Sequence, residues 1–366
     1  MKILHAVLSE GFYGSERYCA ELAVAQARGG HDVEVLIQNA WSDCARGMRK
    51  AVAEANSVGA GTMRLSSLPS WAPAFLQRLF AWGALRRFRP DVVHTHLNPA
   101  GRRVGRKAQK LGIPHITTLH ISYAAREAGD CDGIVCIADW QRATLENFSG
   151  EVATVHNWLP EAVADAILDT TKEQVTGLRD EWQTDHETYV FGSVGRLVPE
   201  KNMVRLVGLF SLVFPRGDEK VRLVIVGDGP QRAEIERLAA GDTRIFIAGA
   251  QATVAPWYLA FDAFVSSAQF EPFGLAILEA MAAGCPLVLT RTQGPSEFVT
   301  DKRVLWSEIG DDVALAGNLI EAAASGWHRL KYDLKQFSRE RAAVEIETLY
   351  RHVISRRKAD AERVSG

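Results

Sequence analysis

Glu271 and Glu279 stand eight positions apart in "QFEPFGLAILEAMAAG", residues 269–284, an otherwise apolar stretch broken by Pro-Phe-Gly. A carboxylate buried without a partner is costly enough to neutralise itself or to stay out. Two of them in such a run therefore ask for a polar ligand. Pro272 would fix the backbone ahead of a helix in which Leu275, Leu278, Glu279 and Ala282 recur at helical spacing. Glu271 is expected just before that helix and Glu279 little more than a turn inside it.

Three other stretches carry residues suited to chemistry. "SEGFYGSER" places Gly11 and Gly14 ahead of a helix bearing Ser15 and Glu16. A glycine at a helix start lets free N–H groups approach a phosphate, aided by the helix dipole, although it also marks a plain turn. "SVGRLVPEKN" offers Gly195, Arg196 and Lys201 in one loop. A forked guanidinium and a point-like ammonium suit a diphosphate; a solvated surface pair is the other reading. "TTLHIS" puts His120 at a strand end, where a neutral imidazole would bond a hydroxyl or a phosphate, or serve only the fold. Neither GxGxxG nor GK[ST] occurs, which removes the best support for dinucleotide-binding and P-loop readings.

The elements that must position these residues are legible as apolar runs. "KILHAVL", "HDVEVLI", "PDVVHTHL", "HITTLH", "DGIVCIA" and "EVATVHN" alternate with helical patterns such as "GSERYCAELAVAQARGG". β-rich runs alternating with amphipathic helices signify βαβ units and a parallel sheet. A first α/β domain is expected over residues 1–157. After the polar stretch "DTTKEQVTGLRDEWQTDHET" the alternation restarts with "YVFGSVGRL", "VRLVIVGDG", "TRIFIAGA", "AFVSSA" and "CPLVLT", giving a second doubly wound, Rossmann-like domain over 158–337. The charged pattern "SRERAAVEIETLYRHVISRRKA" predicts a long amphipathic helix over about 338–366, frayed at its end and crossing back to the first domain.

With 366 residues, 47% apolar and 23% charged, the chain is globular and long enough for two domains. Lys and Arg outnumber Asp and Glu by 18 to 14 in residues 1–157 and are outnumbered 24 to 30 in the remainder. The mildly basic first half suits an anionic partner or surface, and nothing points to nucleic acid. Five scattered cysteines, Cys19, Cys44, Cys131, Cys136 and Cys285, argue against a disulfide framework. "CDGIVC", with four residues between its cysteines and no second pair downstream, is a poor zinc site. The N-terminal apolar run is too short for a signal peptide and no run is long enough to span a membrane, so cytoplasmic residence is expected.

Taken in order, the Gly loop with "GSER", "PDVVHTH", His120, "GRLVPEKN", "VIVGDGP" and "FEPFGLAILEAMAAGCPLV" resemble the GT-B glycosyltransferases, specifically the large retaining family 4, over nearly the whole chain. The last stretch resembles that family's E-x7-E signature. The resemblance implies two Rossmann-like domains facing across a cleft and a nucleotide-sugar donor. It implies that Glu271 faces the donor sugar's hydroxyls, that the N–H groups of Phe273, Gly274 and Leu275 bind sugar and phosphate oxygens, and that Glu279 accepts from the ribose hydroxyls. Gly14 and Gly195 would lie against the donor, His120 would be catalytic, and Arg196 and Lys201 would stabilise the departing diphosphate. It further implies transfer with retention, no metal, no cofactor and a glycan or lipid-linked acceptor in cell-envelope polysaccharide or lipopolysaccharide synthesis. The sequence departs from the family pattern at Tyr13-Gly14, Ala138 and Trp158, where Gly-Gly, Ser and Gly are usual. A nucleotide-sugar epimerase or phosphorylase on the same fold, a two-lobed sugar-nucleotide-binding protein and a dinucleotide oxidoreductase are rival readings. "LQRLFAWGALRRFRP", residues 76–90, mixes Leu76, Leu79, Phe80, Trp82 and Leu85 with four arginines. It reads either as a helix packed on the sheet with its arginines in water or as a contact with an anionic inner membrane.

Overall fold

Every apolar run named above forms a parallel β-strand in the computed structural model, which describes residues 1–365 except 58, 70, 97–99, 125–127, 129, 218–219 and 327–328. The chain divides into two units, Met1–Trp158 with Phe337–Gly366, and Leu159–Gln336. The first holds β1 (Lys2–Val7), β2 (Asp32–Ile37), β3 (Thr62–Ser67), β4 (Val92–His96), β5 (His115–Leu119), β6 (Gly133–Cys136) and β7 (Glu151–Thr154) in the order β3-β2-β1-β4-β5-β6-β7. The second holds β8 (Tyr189–Val194), β9 (Val221–Val226), β10 (Ile245–Gly249), β11 (Ala263–Ser266), β12 (Leu287–Thr290) and β13 (Leu305–Ser307) in the order β10-β9-β8-β11-β12-β13. Helices cover both faces of such sheets, which is why β1, β4, β5, β6 and β9 are buried almost throughout.

β3 and β13 have no apolar run to announce them. Each is an edge strand, and β3 (Thr-Met-Arg-Leu-Ser-Ser) buries only Met63 fully. The first core gathers Leu4, Ala6, Leu36, Leu85, Phe88, Val93 and Val104, and the second gathers Phe191, Leu206, Phe210, Leu223, Ile225 and Leu319. All five cysteines are buried and free.

The C-terminal helix, Arg339–Ser365, remains helical to its last described residue and packs on the first unit, against the helix Gly14–Arg28 and strands β6 and β7. Ala342, Ile346, Leu349, Tyr350 and Val353 recur every three or four residues and are buried, the stripe that docks an amphipathic helix. Polar contacts flank it: Arg341 donates to the His156 carbonyl at 2.6 Å, Arg357 to Asp132 at 2.8 Å, and Arg356 to Glu151 at 2.9 Å.

Strand register assembles an unusual polar patch in the first sheet. His5 of β1 stands opposite His94 of β4, and Thr118 of β5 stands opposite His96. Side chains two apart on a strand share a face, so His5, His94, His96 and Thr118 project to the same side. Thr95, His115 and Thr117 project to the other, where His115 Nε2 lies 2.9 Å from Thr95 Oγ1.

Candidate active site

Each sheet reverses its strand order once, between β1 and β4 in the first unit and between β8 and β11 in the second. Ligands of open parallel sheets bind beyond the carboxyl ends of the strands at such a reversal. In the second unit Gly195 and Arg196 follow β8 directly, Lys201 closes the same loop, and Glu271 lies on the segment after β11. In the first, Gly14 opens the helix after β1, His96 ends β4 and His120 follows β5. Local topology thus brings Gly195, Arg196, Lys201 and Glu271 together in one unit and Gly14 and His120 in the other.

In the second unit Lys201 Nζ donates to a Glu271 oxygen, with 20% and 12% of the two side chains exposed. The surrounding main chain fixes both. Ser267 Oγ donates to the carbonyls of Lys201 (3.3 Å) and Asn202 (3.1 Å), and the Gln269 N–H to that of Glu200 (2.9 Å). The Glu271 N–H donates to Gln293 Oε1 at 3.3 Å, and its carbonyl accepts from the Gly294 N–H at 3.1 Å. Arg196 is exposed and forms no ion pair among the described residues. One cation is therefore held against a carboxylate and its neighbour is open to an anion.

The helix carrying Glu279 runs Leu275–Ala282, and its N-cap is Gly274 at φ 105°, ψ 51°. A Cβ at Gly274 would be strained by that backbone and would lie 3.0 Å from Pro295 Cγ. Glycine, rather than Pro272 as the sequence suggested, sets the start of the helix. Among the described residues, the N–H groups of Gly274, Leu275 and Ala276 make no hydrogen bond, as the first turn of an α-helix has no intrahelical acceptor for them. Phe273 is buried with its ring stacked on Phe298, 4.8 Å between centroids. Glu279 is buried one turn further in, and Tyr258 Oη donates to its Oε2 at 2.9 Å.

In the first unit a Cβ at Gly14 would meet nothing within 4 Å, so internal packing does not require glycine there. Glu16, buried at the first turn of the helix Gly14–Arg28, accepts from the Tyr13 N–H (3.0 Å) and from Ser15 Oγ (3.1 Å). His120 lies edge-on to Tyr18, with ring centroids 5.0 Å apart. Burial depresses the His120 pKa to about 4, and the Glu16 carboxylate offsets this in part, so the imidazole is neutral at pH 7.

Comparison with known proteins decides the family. Residues 13–189 match the glycosyl transferase 4-like domain and residues 188–325 the group 1 glycosyl transferases, which together span most of the chain. The chain belongs to the group 1 glycosyltransferases. It is 30% identical over 260 residues to a GDP-mannose-dependent alpha-mannosyltransferase of Mycobacterium tuberculosis, covering 66% of this chain and 65% of that protein, just under two thirds of its length. It is 27% identical over 323 residues to the lipopolysaccharide core biosynthesis glycosyltransferase LpsD of Rhizobium meliloti, covering 86% of each. The GT-B fold is shared with Anabaena HepE in complex with UDP and glucose, at a TM-score of 0.71 and 16% identity over the full length of both chains. A glycosyltransferase from Rickettsia africae superposes at a TM-score of 0.72, with 16% identity.

In this glycosyltransferase several residues of the site carried no sequence signal. Tyr258 lies in the apolar run "APWYLA", and only the fold brings it to Glu279. Gln293 and Ser267 act on the main chain of the Lys201 and Glu271 loops. Of the three departures from the family pattern, Trp158 serves the first unit's interior: it is buried against the Tyr18 ring at 4.5 Å and donates to Glu21 at 2.5 Å. The ring nitrogens of His5, His94 and His96 lie within 4.8 Å of one another, close enough for a metal. Both nitrogens of His5 and both of His94 are instead engaged in hydrogen bonds.

Proposed function

We propose that this group 1 glycosyltransferase is a retaining, metal-independent hexosyltransferase that uses a nucleoside-diphosphate sugar. Its acceptor is a glycan or lipid-linked saccharide of the cell envelope, in lipopolysaccharide or related polysaccharide synthesis, and it works in the cytoplasm without a cofactor. The observation that carries the donor side is the grouping of Lys201, Glu271, Arg196 and the unbonded N–H groups of Gly274, Leu275 and Ala276 at one strand reversal. Glu271 accepts from the transferred sugar's hydroxyls, and Glu279, steadied by Tyr258, accepts from the ribose. Lys201, Arg196 and the helix start meet the charge growing on the leaving diphosphate. Fixed charges and dipoles of this kind are commonly the largest catalytic term and do the work a divalent ion would otherwise do. In the first unit, Gly14, whose absent side chain leaves open space, and the neutral His120 stand beyond that sheet's own strand reversal.

Retention follows, in this reading, from attack on the same face as the departing diphosphate, which itself takes the acceptor's proton. The C–O bond to the diphosphate breaks as the acceptor oxygen bonds to the anomeric carbon. The test is NMR of the new linkage made from an α-configured donor: an α-linkage is expected, and a β-linkage would overturn the assignment.

A peripheral membrane contact is supported by the helix Ala74–Phe88. Ala81, Ala84, Leu85 and Phe88 pack inward while Phe75, Leu79, Phe80 and Trp82 remain exposed beside Arg78, Arg86 and Arg87. Arg86 stacks over the Trp82 ring at 3.8 Å. An outer face of aromatics and guanidinium groups suits the interface of an anionic bilayer. Among the described residues, no helix is long and apolar enough to cross a membrane.

A further inference from the structure

The polar patch of the first sheet is one directional chain of hydrogen bonds. His5 Nε2 lies 2.7 Å from Gln26 Oε1, so His5 carries its proton on Nε2. Its bare Nδ1 lies 3.0 Å from His96 Nε2, which must therefore be the N–H of that pair. Gln26 Nε2 donates to Tyr350 Oη at 3.3 Å, the Tyr350 hydroxyl lies 2.5 Å from His94 Nδ1, and His94 Nε2 lies 2.7 Å from Thr118 Oγ1. Each donor in the chain dictates the next, and the amide orientation of Gln26 sets the direction. Burial holds His5 at about pKa 4, and His94 and His96 well below the usual histidine value. All three are neutral at pH 7, so their tautomers are defined.

The chain ends at His96 Nδ1, a buried acceptor without a hydrogen bond, and two further buried atoms in the same state belong to rings that touch it. These are His120 Nε2, with ring centroids 5.8 Å apart, and Tyr18 Oη, at 5.7 Å. Thr118 neighbours the Tyr18 hydroxyl without forming a bond of acceptable geometry. Three polar atoms on mutually contacting rings are what a single buried water requires.

We propose that His96 is a positioning residue for His120: the chain from Thr118 to His5 holds it as the Nε2–H tautomer, and one shared water that donates one hydrogen to its bare Nδ1 and the other to Tyr18 Oη accepts from His120, fixing it as Nε2–H. His120 then offers Nδ1 to a ligand as an acceptor, which fits a hydroxyl and not a phosphate oxygen. Tyr350 belongs to the C-terminal helix, so that helix sets the protonation of a site residue through Gln26 and His5. The catalytic part rests on the role given to His120 above; the tautomers do not.

Two measurements test it on the full-length protein. Long-range ¹H–¹⁵N spectra of histidine-labelled protein at pH 7 should show protonated Nε2 and bare Nδ1 at both His96 and His120. A protonated Nδ1 at His96 overturns the proposal, and so does stoichiometric zinc in the purified protein, which would occupy the same nitrogens. Tyr350→Phe breaks the chain away from any ligand. It should mix the His96 tautomers and lower kcat about tenfold, the effect of one neutral hydrogen bond, with donor KM within about twofold. His96→Asn, which keeps a polar atom near the Nδ1 position, should retain more kcat than His96→Leu. A single unchanged His96 tautomer in Tyr350→Phe, or equal kcat for the two His96 variants, would refute the chain. Correct tautomers in an enzyme whose kcat is indifferent to His120→Ala would instead sink the role of His120.

Discussion

Lowering the pH from 7.5 to 5.5 should unfold the first unit while sparing the second. His5, His94, His96 and His115 are all buried. Burial depresses their pKa values, to about 4 for His5, about 3 for His115, and well below the usual value for the other two. In the unfolded chain each titrates near 6.5. The folded value lies below the unfolded one, so as pH falls the unfolded chain takes up protons first. Stability that is present above pH 6.5 is then lost progressively toward pH 4. At pH 5.5 each histidine contributes a loss of about 1.4 kcal/mol, and the four together roughly 5 to 6 kcal/mol. That is comparable with the entire stability of an ordinary domain, about 5 to 15 kcal/mol. His120, whose pKa burial also lowers to about 4, acts in the same sense, and it is left out of the sum because the residue as a whole is partly exposed. Glu21, whose carboxyl is held up by burial, works in the opposite sense and offsets part of the loss.

Hydrogen exchange read by mass spectrometry, corrected for intrinsic rates, follows each unit separately and needs no two-state assumption for the whole chain. Peptides from residues 1–158 should lose most of their protection between pH 7.5 and 5.5. Peptides from 159–336 should keep theirs, because the described histidine there, His186, is at the surface. Urea titrations should show the first unit's stability falling with a slope of about three to four protons near pH 5.5. A slope below one proton, or equal loss of protection in both units, would refute the reasoning, since it would mean that the buried imidazoles are charged or hydrated in the folded state.

Glu271→Ala should lower kcat by a factor on the order of 10² to 10³, whereas Glu279→Ala should chiefly raise donor KM; wild-type turnover in the first variant would reject its place at the sugar. Tyr258→Phe, which removes a bond to a buried carboxylate, should destabilise the second unit by about 1.5 to 3 kcal/mol in urea melts and weaken nucleotide binding, and an unchanged midpoint would count against that bond. Activity should survive EDTA, since the proposed mechanism assigns the leaving-group charge to Arg196, Lys201 and a helix start; loss of activity restored by Mg²⁺ or Mn²⁺ would reverse this. The protein should sediment with vesicles containing anionic lipid and much less with neutral ones, and Phe75→Ser with Trp82→Ser should abolish the binding; equal sedimentation of the double variant would remove the helix Ala74–Phe88 from the contact.

How much of this was legible in the sequence depended on whether a feature is local or set by register. The strands announced themselves because both faces of a parallel sheet are buried, which writes each strand as a continuous apolar run. β3 and β13 escaped because an edge strand needs no such run: Thr-Met-Arg-Leu-Ser-Ser is half exposed. Glu271, Arg196 and Lys201 stood out because charge beside apolar sequence is a local anomaly, and their loops follow strands that were themselves readable. Tyr258 was not readable, because a tyrosine among Ala, Pro, Trp and Leu looks like packing until the fold sets it 2.9 Å from Glu279.

The histidines make the same distinction more sharply. "HTH" in β4 shows that two imidazoles share a face, since residues two apart always do. It cannot show that His5, from a strand 89 residues earlier in the pairing, is the partner that accepts a hydrogen bond from one of them. Nor can it show that Tyr350, at the far end of the polypeptide, links Gln26 to His94 in the sequence of donors. A strand pattern specifies direction and face, but the identity of a cross-strand neighbour is fixed only when β1 and β4 align. The consequence is physical: three neutral imidazoles fill a position where aliphatic side chains would pack at no risk from acid. The fold therefore accepts a loss of stability below pH 6.5 in order to hold one nitrogen of His96 bare.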